Sequence, residues 1–329
     1  MTFAGSTGRV ESRLVPEAGL ELDTFPISGL PRRPGLELAR ALLRALRAPF
    51  ACARILARRR PDVVLGGGGY VAGPMVLAAR LRGIPAALTE ADAHLGLANR
   101  LAAPLADRVF LAYEIEGRRP PKYRVVGRPI PRAHLGADRT SARQALGLPE
   151  GAPVLAVFGG LAGARALNDL AVEAWGEAGP AVLHIAGERD YEELRARVSR
   201  PEYVLLASTD RFGDVLAAAD LAISRAGGTV WELAAAGTPA VLVPYPHATA
   251  DHQMLNARVF ERGGGAVVVP QSELPRVPEV VAGLLADPER LRAMSDAMRA
   301  LARPEAAEEI ADELVALARS RKARRRARA

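Results

Sequence analysis

Residues 154–168 read VLAVFGGLAGARALN. Five apolar residues run into two glycines, and an Ala/Leu/Arg stretch with helical spacing follows. A short, continuously apolar run of this kind suits a strand buried between helix layers. The glycines let backbone N–H groups approach a ligand, and the start of the next helix favours an anion. Strand, glycine loop and helix in this order open a nucleotide-binding half of a doubly wound sheet. A loose glycine loop is weak evidence alone, so its neighbours must agree with it.

They do. Short apolar runs predict strands at Asp62–Leu65, Ala86–Thr89, Arg108–Ala112, Tyr123–Val126, Val154–Phe158, Ala181–Ile185, Tyr203–Leu206, Leu221–Ser224, Ala240–Pro244 and Ala266–Val268. Helical stretches alternate with them, the pattern of parallel sheets with right-handed crossovers. A proline-bearing break at Gly127–Pro153 precedes the opening motif, and the charge changes sign there. Residues 1–140 carry a net +10, residues 141–318 a net −10, and the final RSRKARRRARA a net +7. The predicted class is α/β, with two doubly wound parallel-sheet domains and a cleft between them. The expected domains are residues 1–132 and 153–318. A linker at 133–152 joins them, and a disordered basic tail follows at 319–329.

Composition excludes several functions. No run of apolar residues is long enough for a membrane-spanning helix. The first twenty residues lack the basic-then-apolar order of a secretory signal, so a cytoplasmic protein is expected. One cysteine, Cys52, permits no internal disulfide framework and no cysteine-based zinc site. Aromatic residues make up only 5%, too few for a base-stacking surface, so no nucleic-acid partner is expected. No nucleophile elbow, Walker loop or kinase motif set is present.

Three further segments carry chemistry. Leu65–Pro74, LGGGGYVAGP, either brings backbone close to a phosphate or sugar or makes a tight strand–helix turn. In Ser224–Gly237, SRAGGTVWELAAAG, the residues Gly227, Gly228 and Thr229 open a helix and offer N–H groups and a hydroxyl to a diphosphate. Glu232 accepts both hydroxyls of a ribose, or completes a helix cap with Thr229. Val243–Asn256 gathers His247, Asp251, His252, Gln253 and Asn256, groups suited to sugar hydroxyls. Its histidines lack the i, i+4 spacing of helical zinc sites, so no metal is expected. His94 and His134 stand alone and read as structural or exposed. From Leu36 to Arg58, Leu36, Leu38, Leu42, Leu43, Leu46, Phe50 and Ile55 mix with Arg40, Arg44, Arg47, Arg54 and Arg58. Such a stretch buries a face in its own domain or lays it on anionic lipid. Pro49 should kink or divide it.

At these residues the sequence resembles the MurG family, bacterial transferases that convert lipid I to lipid II in peptidoglycan synthesis. The carrying segments are RLVPEAGLEL, ISGL, PDVVLGGGGYVAGP, GLANRLA, ADRVFLA, VVGRP, GGLAGARALN and SRAGGTVWELAAAGTPAVLVPYPHATADHQMLNA. They span nearly the whole chain in order. The resemblance implies a GT-B fold: two Rossmann-like domains, with UDP-N-acetylglucosamine held in the C-terminal one. Carried over by motif, the donor residues are Gly160, Leu161, Gly163, Arg225, Gly227, Gly228, Thr229, Glu232 and Gln253. The acceptor residues are Gly68, Gly69, Tyr70, Asn99 and Arg128. Glu90 and Asp92 are the implied candidates for the base that deprotonates the acceptor's 4-hydroxyl as it attacks the anomeric carbon. Inversion through an oxocarbenium-like state is expected, with helix N-termini stabilising departing UDP. No cofactor and no obligatory metal is implied. The implied partners are UDP-N-acetylglucosamine, a lipid-linked acceptor and the anionic inner membrane, touched peripherally at its cytoplasmic face.

The sequence departs from the family in several places. The family's opening strand and GGTGGH loop have no counterpart here, since Met1 falls near its second strand. The family's HEQN reads Thr89-Glu90-Ala91-Asp92, its GGSQGA reads Gly159–Ala164, and its GNPVR reads Gly127–Pro131. Two alternatives follow: a non-catalytic nucleotide-sugar-binding paralogue, or a related transferase acting on another membrane glycolipid.

Overall fold

The computed structural model describes residues 1–29, 35–160 and 163–326. The chain forms two compact units. One holds Met1–Val126 together with the chain from Glu308 onward, and the other holds Gly127–Ala307.

The first unit runs β1 (Phe3–Ser6), α1 (Glu11–Glu17), β2 (Leu22–Phe25), α2 (Leu36–Arg59), β3 (Val64–Gly66), α3 (Gly69–Leu81), β4 (Ala86–Glu90), α4 (Leu97–Ala102), β5 (Arg108–Leu111) and β6 (Tyr123–Val125). All strand pairs are parallel. β1 and β2 form a two-stranded sheet, while β3-β4-β5-β6 form a second sheet in that order. One core serves both sheets, with Phe25 and Ile27 packed in the same cluster as Val64, Val76, Leu88, Val109 and Leu111. Gly66 lets α3 close on the strand, since a Cβ there would sit 2.9 Å from that of Ala72. Pro49 does not divide α2, which runs unbroken through it. Ala48 and Cys52 beside it are buried, and that packing outweighs the one lost backbone hydrogen bond.

Strand alternation sets what lies on the other face. Leu88, Val109 and Leu111 point into the first core; Ala87 and Phe110 point the opposite way. The second face is covered by Ile310, Leu314 and Leu317. These belong to the last helix of the chain, which returns to this unit from the second one.

The second unit contains α5 (Arg139–Ala145), β7 (Val154–Phe158), α6 (Arg165–Trp175), β8 (Ala181–Ile185), α7 (Tyr191–Arg195), β9 (Tyr203–Leu206), α8 (Phe212–Ala218), β10 (Leu221–Ser224), α9 (Thr229–Ala236), β11 (Ala240–Leu242), α10 (His252–Arg262), β12 (Ala266–Val268), α11 (Val277–Leu285) and α12 (Pro288–Leu301). Then comes α13 (Ala306–Arg326), the helix that crosses back. The sheet is fully parallel in the order β12-β11-β10-β7-β8-β9. That is the doubly wound order, and it reverses direction between β7 and β10.

Two expected boundaries shift. Residues 133–152 are no free linker, because α5 packs on α8 within the second unit. The reason is Arg143, only 2% exposed, which donates to the carbonyls of Ala218, Pro149, Glu150 and Ala152 and to Asp220. The basic end is also not disordered from residue 319, since α13 is helical as far as Arg326. Glu313 pairs with Arg108 and Arg124, and Arg321 donates to the carbonyl of Pro61 at 3.1 Å.

Candidate functional site

In a doubly wound sheet, ligands bind beyond the carboxyl ends of the strands where the order reverses. Here that point lies between the loops after β7 and β10. After β7, Gly159 and Gly163 are glycine for steric reasons. A Cβ on Gly159 would lie 2.2 Å from that of Ala164, and one on Gly163 would lie 2.1 Å from the Ala186 carbonyl. Gly163 also has φ +70°, in the left-handed region. Gly160 is left-handed too, and its Cβ direction is open. Leu161 lies outside the described residues.

After β10 come Arg225, Ala226, Gly227, Gly228 and the first residue of α9, Thr229. The buried Asn256 of α10 braces this loop by donating to the Ala226 carbonyl at 3.1 Å. Thr229 forms no capping box with Glu232; the N-cap is Gly228, without a side-chain cap. The Val230 and Trp231 amides turn back to the Gly227 and Gly228 carbonyls, so the amides left for a ligand are those of Gly227, Gly228 and Thr229. A Cβ on Gly228 would strike the Arg128 guanidinium at 2.3 Å. Arg128, assigned to the acceptor by motif, thus lies against the glycine loop after β10 in the second unit. A cation at a helix N-terminus is unfavourable by itself, and an anion between the two reverses the sign.

Arg225 makes the same point more strongly. It is 9% exposed, donates to the carbonyls of Val243 and Pro244 and to Gln271 Oε1, and lies 5.5 Å from the Tyr245 ring centre. No carboxylate pairs with it among the described residues. Burial pulls its pKa below the ordinary arginine value. The cation faces a cavity of about 500 Å³ shared with Gly159, Gly163, Arg165, Arg189 and Gln253. Gln253 accepts from the Tyr245 backbone N–H at 2.9 Å, which leaves its amino group for a ligand.

A second cavity of about 330 Å³ adjoins the same glycine loop at Gly160. Phe158, Ile185 and Phe212 give it an apolar wall suited to a planar base, and Thr229 and Glu232 line its polar side. His134 lines it as well, and its Nδ1 lies 2.5 Å from Glu232 Oε1. A larger cavity, about 660 Å³, lies around the far end of α9 near Gly237 and Arg299. The glycine loops do not reach it, so the two smaller cavities form the candidate site.

In the first unit, a third glycine loop follows β3. Gly68 and Gly69 have φ of +90° and +67°. Tyr70 of α3 packs against Gly29. Asn99 lies under Gly68 and donates to the Thr89 carbonyl and to Glu90 Oε2, both at 2.9 Å. Its buried Oδ1 has no hydrogen-bond partner, which leaves an acceptor beside the loop. Glu90 is 8% exposed and fully engaged. Its Oε1 accepts from the amides of Ala91 and Asp92, and its Oε2 from Gly96 and Asn99. A carboxylate holding four donors has spent the lone pairs a base needs. Asp92 is half-buried on the same turn.

Sequence reasoning had set His134 aside, and it passed over Phe212, Tyr245 and Gln271. Phe212 directly follows the Ser208–Arg211 polar turn and opens a helix; no motif marks it.

Two Rossmann-like units with parallel sheets, glycine loops at their strand ends and a buried cation that no carboxylate pairs with among the described residues place the chain in the GT-B class of glycosyltransferase folds. The comparisons agree. The chain matches the glycosyltransferase family 28 N-terminal domain over residues 2–111 and its C-terminal domain over residues 154–310. It is 40% identical to the UDP-N-acetylglucosamine–N-acetylmuramyl-(pentapeptide) pyrophosphoryl-undecaprenol N-acetylglucosamine transferase of Moorella thermoacetica, over 92% of this chain and 86% of that one. It is 41% identical to the protein of the same name from Mycobacterium tuberculosis, over 90% and 76%. The crystal structure of Acinetobacter baumannii MurG superposes with a TM-score of 0.74 at 28% identity, over 95% and 90% of the two chains. The chain belongs to the MurG family of glycosyltransferase family 28.

Proposed function

We propose that this protein transfers N-acetylglucosamine from UDP-N-acetylglucosamine to a diphosphate-linked N-acetylmuramyl-pentapeptide lipid, making lipid II from lipid I. The observation that carries the reading is Arg225, a buried cation that no carboxylate pairs with among the described residues, set at the head of α9 beside two glycine loops. Such a group is expensive unless an anion joins it, and a nucleoside diphosphate supplies that anion. Gly160, Gly227, Gly228 and Thr229 offer backbone and hydroxyl donors to it, Gly163 shapes the loop by donating its own N–H to the Gly160 carbonyl, and Arg128 adds a second cation. Glu232 receives the ribose hydroxyls in the aromatic-walled cavity, and Gln253 the sugar hydroxyls. As the glycosidic bond breaks, charge builds on the leaving diphosphate, and these fixed donors stabilise it.

The acceptor belongs to the loop of Gly68, Gly69, Tyr70 and Asn99. Because Glu90 is held by four donors, we assign it to shaping the 91–96 turn. Peripheral membrane contact falls to α2. Leu36, Leu42, Leu43, Leu46 and Phe50 are exposed on a helix that also carries Arg40, Arg44, Arg47 and Arg54. Among the described residues, no helix is long and apolar enough to cross a membrane.

The test is transfer of labelled N-acetylglucosamine from UDP to lipid I in vesicles. Label in the lipid fraction, lost in Glu232→Ala, is the expected result. UDP binding without any transfer would reduce the protein to a nucleotide-sugar binder.

A further inference from the structure

His134 and Glu232 are 98 positions apart, yet the imidazole Nδ1 meets the carboxylate at 2.5 Å. The contact is built, not incidental. His134 closes a short 3-10 turn, Arg132–His134, that lies on the start of α8. It can lie there because residue 213 is glycine: a Cβ would come 2.6 Å from the Ala133 carbonyl and 3.0 Å from His134 Cα. The Phe212 ring meets the imidazole edge-on at 5.5 Å, and Phe158 meets Phe212 in turn at 5.2 Å. The ring is thus fixed on one side by aromatics and on the other by Glu232. Both partners are mostly buried, with side chains 21% and 17% exposed.

We propose that His134 is a positioning residue that sets the selection of ribonucleotide over deoxyribonucleotide donors. The inference rests on the reading of Glu232 as the ribose acceptor. A carboxylate on a helix turn has free torsions, and discrimination by a hydroxyl requires the acceptor to be held before the ligand arrives. Nδ1–H donates to Oε1 and fixes the carboxylate plane, while the second oxygen stays available for the sugar. A site built to pair a hydroxyl rejects the analogue that lacks it, because the acceptor is left unpaired. Without the imidazole the carboxylate turns to water when the hydroxyl is missing, and the penalty for the deoxy ligand fades.

The experiment measures calorimetric affinities of the full chain for UDP and 2′-deoxy-UDP. The wild type should prefer UDP by at least about tenfold. His134→Phe keeps the ring against Phe212 but removes Nδ1, and should cut that preference to about threefold or less. His134→Asn returns an N–H donor and should restore most of it. A purely structural role would weaken both ligands alike and keep their ratio. A preference that survives intact in His134→Phe overturns the inference alone. Absence of UDP binding overturns the donor reading and this inference with it, whereas equal affinity of the wild type for both nucleotides overturns Glu232 as the ribose acceptor and this inference, and leaves the diphosphate reading at Arg225 standing.

Discussion

At the scale of single residues, burial and pairing decide what each charged group is for. Among the described residues Arg225 donates to neutral oxygens only, so on the proposed reading its charge is there for the diphosphate. Arg225→Met should therefore weaken UDP binding at least about tenfold, roughly 1.4 kcal/mol or more. Its melting temperature should stay within a few degrees of wild type, as measured by calorimetry. His184 behaves differently. It is fully buried, with Nδ1 against Tyr203 OH at 2.8 Å and Nε2 against Asn168 Oδ1 at 3.0 Å. Asn168 Nδ2 donates to the Ala186 carbonyl and Asp190, so its oxygen accepts from Nε2–H, and Nδ1 accepts from Tyr203. Burial pushes the imidazole down to about 4 from an ordinary 6.5. Above pH 6.5 neither state is charged and the group is silent. Below it the unfolded chain binds a proton that the folded one refuses, so stability falls until about pH 4. Between pH 7 and 5 this one group should cost the second unit about 2 kcal/mol. Both tryptophans, Trp175 and Trp231, lie in that unit. Urea titrations followed by tryptophan fluorescence should show the loss, and His184→Gln should show about 2 kcal/mol less of it. Glu232 and Gln253, which line the two cavities, could be picked out from the sequence because their motifs are local. His134 could not, since its role comes from a partner that only the fold brings near.

At the scale of elements, legibility followed apolar content. The strands buried on both faces are marked by short, largely apolar runs, and β7, β8, β9, β10 and β12 fall where their runs predict. β1 and β2 were missed. FAGS and LDTF are four residues each, mix polar with apolar, and leave Phe3 partly exposed. Asp23 in β2 is nevertheless buried, because Arg58 and Arg59 at the end of α2 pair with it. The Arg59 hydrogen bond first, and Arg58 after it, hold its carboxyl below the usual range. In α2 a sequence pattern left two readings open, and the helix has both a buried stripe and an exposed one. Ala41, Ala48, Cys52, Ile55 and Leu56 are buried, while Leu46 and Phe50 are 71% and 73% exposed. One stripe of the helix thus belongs to the core and another faces outward with the arginines. Replacing Leu46 and Phe50 together with serine removes apolar surface without adding charge. Sedimentation with vesicles rich in anionic lipid should fall several-fold, while UDP affinity stays unchanged. Equal sedimentation of variant and wild type would exclude α2 as the membrane-facing element.

At the scale of the whole molecule, the path of the chain matters as much as its two sheets. The polypeptide leaves the first unit at Val126, builds the second, and returns through α13. The described part of the basic C-terminal helix therefore belongs with the basic first unit. The return also has a mechanical consequence. Ala87, Phe110 and Val126 are buried only because Ile310, Leu314 and Leu317 cover them, and Glu313 ties the same helix to Arg108 and Arg124. Stopping the chain after Ala307 would open that face of β4 and β5 to water, at roughly 1.5–3 kcal/mol for each large side chain uncovered. The damage should be confined to the first unit. Amide hydrogen exchange in β4 and β5 should accelerate by at least about a hundredfold, and transfer activity should be lost. UDP affinity and the tryptophan-monitored urea midpoint should remain those of the full chain, because α13 after Ala307 contributes nothing to the donor site. Loss of UDP binding on truncation would instead mean that the two units fold only together.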